Sequence, residues 1–162
     1  MNRITDHPAY AEDQPHAHLL LTTHVLHRAI TVGSLFGIIY GGGRFALSSS
    51  ARTATTLPAI LLRSSSTGVL VSSGISALAL AGRMYGREEI EWKDRSWRLL
   101  ESRGQNQADE WSAAGMVSGA MGGVVVGRSV GVVTYRAVVG GAGMGSVLGV
   151  MAMMAWRQVG GG

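Results

Sequence analysis

The chain predicts an all-α membrane protein of four transmembrane helices packed through small-xxx-small seams. Three observations carry that expectation. Four windows hold no charged residue: 29–43, 64–82, 111–127 and 137–156, which are 15, 19, 17 and 20 residues long. Small residues recur at every fourth position within them: Gly33, Gly37 and Gly41; Ser64, Gly68, Ser72 and Ser76; Gly115, Gly119, Gly123 and Gly127; Gly141, Gly145 and Gly149. Charged residues make up only 15% of the 162, against about 25% in an ordinary soluble domain. Residues four apart share one face of a helix, so each stripe presents a strip of nearly bare backbone to a neighbouring helix. In water the same glycines would each cost roughly 1 kcal/mol relative to alanine inside a helix, which leaves a soluble bundle no reason to keep them.

Residues 1–18 read as a polar tail with both signs of charge and no arginine-rich presequence, so any import signal is expected to be internal. The first span covers about 19–41. It carries His24, His27 and Arg28 in its first half, and an arginine at that depth costs a few kcal/mol unless it meets a partner. Arg28 should therefore point at another helix, a lipid phosphate or a neighbouring subunit. A loop from Gly42 to Leu57 holds Arg44 and Arg52, and Pro58 then opens the second span, 58–82, where its missing N–H costs nothing. Arg63 is close enough to that end to snorkel back to the headgroups. The third span, 111–127, begins at Trp111 and ends at Arg128. The fourth, 135–156, leaves a glycine tail at 158–162. The first and third uncharged windows are short of the roughly 20 residues that cross a hydrocarbon core and need their flanks to complete the crossing. Residues 19–157 thus form a single membrane domain.

Between the second and third spans lies a charged surface loop, 84–110. Ile90, Trp97 and Leu100 recur there at loosely helical spacing, compatible with a short interfacial helix or with a solvated connector. All ten acids fall in the tail or in this loop, whereas the short loops carry Arg44, Arg52 and Arg128, with Arg63 and Arg136 beside them. Basic short loops stay on the side from which insertion is driven, which puts them in the cytoplasm or matrix and the termini opposite. Trp92, Trp97, Trp111 and Trp156 gather on the termini side as headgroup anchors.

The chain has no cysteine, so disulfides and thiolate metal sites are excluded. His16 with His18 and His24 with His27 have ligand-like spacing, but no acid in the adjoining span completes a site, and no metal is expected. Neither a GxSxG elbow, an HExxH pair nor a phosphate loop occurs, and the glycine runs lack the strand and acid that a dinucleotide site requires. Arginines are scattered singly, which argues against nucleic acid. A transporter would place ionisable groups inside its spans, yet the third and fourth hold only Ser112, Ser118 and Ser146. No catalytic, cofactor-binding or metal residue is therefore expected, and the role left is packing and binding. Arg28, Arg44, Arg52, Arg63, Trp97, Trp111 and Arg128 are the candidate lipid or partner contacts. Four seams exceed what one small bundle needs internally, so some are expected to face a partner.

The pattern of four short spans with glycine stripes, and the segment Trp111 to Arg128 (WSAAGMVSGAMGGVVVGR) after Asp109-Glu110, resemble the Tim17/Tim22/Tim23 superfamily of the mitochondrial inner membrane. The transporter motif of that superfamily is not met. Its nearest match runs through Gly37, Tyr40 and Arg52, one residue too long, with Thr56 where the acid belongs. The segment Glu89 to Leu100 (EIEWKDRSWRLL), followed by DEWSAAG, is similar to the NUXM-type accessory subunits of fungal respiratory complex I. That resemblance implies a non-catalytic subunit in the mitochondrial inner membrane that docks on membrane-arm subunits of NADH:ubiquinone oxidoreductase, within the lipid bilayer. It also implies a structural phospholipid such as cardiolipin as the only bound small molecule. The termini and the 84–110 loop would then face the intermembrane space and the short loops the matrix. A Tim17/Tim22/Tim23-type component of an import or small-solute translocation complex is the alternative.

Overall fold

The computed structural model describes residues 8–54 and 56–160, and among them the only regular structure is helical. The first seven residues of the predicted tail and the last two of the glycine tail lie outside the described residues. A short 3-10 turn at Ala11–Asp13 leads into α1 (Ala17–Leu47), α2 (Ser49–Ala54), α3 (Leu57–Met84), α4 (Glu89–Glu101), α5 (Arg103–Ser129) and α6 (Thr134–Gln158).

Three helices, α1, α3 and α6, are long and apolar enough to cross a membrane. The expectation of four such helices is corrected at 111–127, which lies inside α5. That helix is long enough, but its mean hydropathy falls below that of the other three because a whole face is given to glycine and its first turns are polar. The loop expected from Gly42 to Leu57 is also largely helical. α1 continues to Leu47, about 46 Å from its start at the standard rise. Ser48 then caps α2, its Oγ accepting the Ala51 N–H at 3.3 Å. Arg52 reaches back from α2 to the carbonyls of Phe45 and Ala46 at the C-terminal end of α1, where a cation offsets the helix dipole. Residues 89–101, left open between helix and connector, form α4.

The long helices pair as two antiparallel hairpins. In the first, Gly33 lies against Gly68 and Ser72, Gly37 against Ser64 and Ser65, and Gly41 against Ser64 and Ile60. In the second, Gly115 faces Gly145 and Gly149, Gly119 faces Gly141 and Gly145, and Gly123 and Gly127 face Ala137. Every predicted seam is thus used inside the chain, which corrects the expectation that some would be left for a partner. A second face of α6 then joins the hairpins: Gly140 meets the backbone of Leu62 on α3, and Gly143 meets Ser34 on α1 and Val69 on α3. The turn between α5 and α6 needs Gly131, at φ 67°, in the left-handed region.

Burial runs opposite to that of a water-soluble bundle. The largest fully buried side chains are Gln14 and six serines. Phe36, Ile39, Ile75, Leu78, Val125 and Leu148, by contrast, are 61–76% exposed. The buried serines tie helices together. Ser65 Oγ donates to the Gly140 carbonyl at 3.1 Å; with its single proton spent there, it accepts from Ser34 Oγ at 2.7 Å. One hydroxyl chain thereby links α1, α3 and α6. Ser72 Oγ adds a bond to the Ala29 carbonyl at 2.8 Å. The buried Ser66 hydroxyl has no partner among the described residues. Ser65→Ala should therefore lower stability by about 1 kcal/mol, whereas Ser66→Ala should leave it unchanged or raise it, as read by thermal melting in mild detergent. Equal losses at the two positions would remove this account of the serine chain.

Candidate functional site

The strongest concentration of polar chemistry sits where α1 passes α5, near the tail end of the bundle. His24, His27, Arg28 and Thr31 are spaced three and four apart and share one face of α1. Gln105, Asp109 and Ser112 have the same relation on α5. The two polar faces meet. His24 Nδ1 lies 2.7 Å from Asp109 Oδ2, and Arg28 Nη2 lies 3.0 Å from Asp109 Oδ1. The second contact is an ion pair off the line of a hydrogen bond, and the same Nη2 donates to the Gln105 carbonyl at 3.3 Å. Deeper in, Ser112 Oγ lies 2.8 Å from His27 Nε2 and 3.3 Å from Thr31 Oγ1. The side chains of Arg28 and Asp109 are 33% and 24% exposed, so their attraction is only partly screened.

Arg28 accordingly points at another helix, one of the three destinations expected for it. The adjoining span holds no acid, as expected, but Asp109, from the stretch expected as a surface loop, reaches these residues. That stretch is helical instead, because α5 begins at Arg103, eight residues before the uncharged window. The signal available was the matched spacing of 24–28–31 and 105–109–112. The bridge neutralises the arginine and locks α1 onto α5. Among the described residues no group of three His, Cys, Asp or Glu could hold a metal ion.

The other candidate contacts spread to the two ends. Trp97 Nε1 donates to the Pro8 carbonyl at 2.9 Å and Lys93 Nζ to the Glu12 carbonyl at 2.8 Å, which fastens the tail to α4. His18 stacks on Trp92 with centroids 4.0 Å apart, and its Nε2 is 2.7 Å from Glu89. Trp111 and Trp156, 6.5 Å apart, close the α5–α6 hairpin at this end, and Arg157 donates to Gln107 Oε1 beside them. Tail, α4 and C-terminus therefore share one end, the grouping that the distribution of charge predicts. At the other end Arg63 Nη2 donates to the Gly131 carbonyl at 3.3 Å, joining α3 to the α5–α6 turn. Arg44 is exposed near the end of α1, and Arg128 occupies the last turn of α5. Gly140 and Gly143, which carry the contact between hairpins, belong to no predicted stripe, because they occupy a second face of α6.

Bare-backbone hairpins, an apolar exterior and a half-buried charge bridge define a small all-α protein with helices able to cross a membrane. The chain belongs to the family described as protein of unknown function DUF1757, which it matches over residues 7–149. That range takes in the bridge and every seam. No curated protein matches the chain.

Proposed function

We propose that this chain is a non-catalytic, multi-pass accessory subunit of mitochondrial NADH:ubiquinone oxidoreductase, which supports assembly and stability of the membrane arm. The distribution of side chains carries the membrane part of this reading: many large apolar residues lie on the exterior, while the helix contacts are built from serine, glycine and alanine with a few larger residues such as Leu62 and Met153. In this reading α5 crosses as the partner of α6. Its outward Val117, Met121 and Val125 are apolar and exposed, and Gly115, Gly119, Gly123 and Gly127 lie against α6, where lipid does not reach. An even number of crossings returns the tail, α4 and the C-terminus to the intermembrane space and leaves the basic short loops in the matrix.

The resemblance of Glu89 to Leu100, followed by DEWSAAG, supports this complex as the assembly in which the chain sits. Its partners are then membrane-arm subunits and the lipid bilayer, with no nucleic acid and no cofactor of its own beyond structural phospholipid. Mild-detergent extraction of mitochondria followed by native electrophoresis and mass spectrometry tests this. Co-migration with the NADH-oxidising complex is the expected result. Co-migration with protein-import components instead would replace it with the Tim17/Tim22/Tim23-type reading.

A further inference from the structure

A cavity of about 790 Å³ opens along the α1–α3 hairpin at the end remote from the tail. Its form follows from the seam. Gly37 and Gly68, each held against the facing helix backbone, form its floor. Phe36 and Tyr40 on α1 and Val71 on α3 wall the trough with apolar surface, each 56–67% exposed. At its mouth stand Arg44, Arg63 and Arg136, drawn from three different helices. From Arg63 to Val71 is about 12 Å along α3, so cationic mouth and apolar floor are separated by roughly the depth of a headgroup and the upper part of its chains.

Among the described residues these cations have no acidic partner. Residues 14–87 and 111–162 contain no Asp or Glu, and the described acids lie at 12–13 and within 88–110, at the opposite end. Arg63 gives one N–H to the Gly131 carbonyl, Arg136 gives Nε–H to the Tyr135 hydroxyl at 3.0 Å, and further donors on both groups remain. Guanidinium groups of this kind match phosphate oxygens, and basic pockets between membrane helices hold anionic headgroups.

We propose that this cavity binds one anionic phospholipid, its phosphate held among Arg44, Arg63 and Arg136 and its acyl chains laid over Gly37 and Gly68 between Phe36, Tyr40 and Val71. A free phosphate would leave the apolar walls uncovered. A zwitterionic lipid would bring a further cation to three that already lack an acid. The proposal rests on the reading of α1 and α3 as membrane-crossing helices, and is independent of the complex in which the chain sits.

The purified full-length chain, reconstituted in nanodiscs of phosphatidylcholine doped with phosphatidylglycerol and then extracted, is examined by native mass spectrometry for retained lipid. The wild type should keep one phosphatidylglycerol per chain in preference to phosphatidylcholine. The Arg44→Gln, Arg136→Gln double variant should reduce that occupancy about tenfold or more, while Arg128→Gln, at the same end but outside the cavity, should not. Arg63 is spared because it also bonds Gly131. Equal loss in the Arg128→Gln variant, equal retention of the two lipids, or displacement by inorganic phosphate alone would overturn the proposal. Failure of the wild type to float with vesicles would instead bring down the membrane reading on which it stands.

Discussion

Gly145→Leu is expected to keep α5 and α6 apart and so to remove the folded hairpin. A Cβ at that position would fall onto the Gly115 carbonyl oxygen, with the Gly115 carbonyl carbon at 2.8 Å and Gly119 Cα at 2.9 Å. All three obstacles are backbone, so no side chain can turn away. Overpacking a core that can rearrange costs about 1–3 kcal/mol, and a clash between two helix backbones should lie at or beyond the upper end of that range. Gly119→Leu and Gly123→Leu meet the facing strip of α6 and should behave alike. Gly122 shares the helix but faces open space, so Gly122→Ala should be harmless or gain up to about 1 kcal/mol of helix stability. Met116→Leu should also be tolerated. Monodispersity and melting temperature in mild detergent read the series, and comparable melting of the Gly145→Leu and Gly122→Ala proteins would refute the seam.

Asp109→Leu is expected to be the second most damaging change. It strands the Arg28 guanidinium and removes the partner of His24 at one stroke. A fully buried pair broken this way costs about 3–5 kcal/mol; with both groups still partly exposed, roughly 2 kcal/mol is expected. The diagnostic arm is the double variant Arg28→Leu, Asp109→Leu, which leaves no uncompensated charge and should recover most of the loss. If the two single losses simply add, the residues do not act as a pair.

Much of this architecture can be read from the chain, for reasons that differ between its parts. Uncharged windows locate α1, α3 and α6 because a bilayer-length helix tolerates few charges and the flanking arginines mark its limits. The four-residue stripes identify the contacting faces, since glycine every fourth position has no other use in a helix. Which stripe meets which is not written in the stripes: Gly37 would fit α6 as well as α3, and the choice depends on loop lengths and on the serine chain through Ser65. The contact between hairpins was hidden because Gly140 and Gly143 are three apart on a face that no window singled out. Asp109 was hidden because a carboxylate among charged residues looks solvated until the helix that carries it is seen to start at Arg103. α5 misleads in the other direction, since the glycines that make it pack also make it weakly apolar.

The bridge between α1 and α5 also constrains the order of synthesis. His24 and Asp109 are 85 residues apart, so at about 5–20 residues per second the polar face of α1 leaves the ribosome roughly 4–17 s before the carboxylate that neutralises it. Throughout that interval His24, His27 and Arg28 in the first half of α1 lack the partners that α5 brings them. If α1 crosses a membrane as proposed, that face has to stay at the water interface or against an insertion factor until the second half of the chain arrives. On the proposed membrane reading, biogenesis is expected to run in two stages, with α1 reaching its final depth only after α5 has been made.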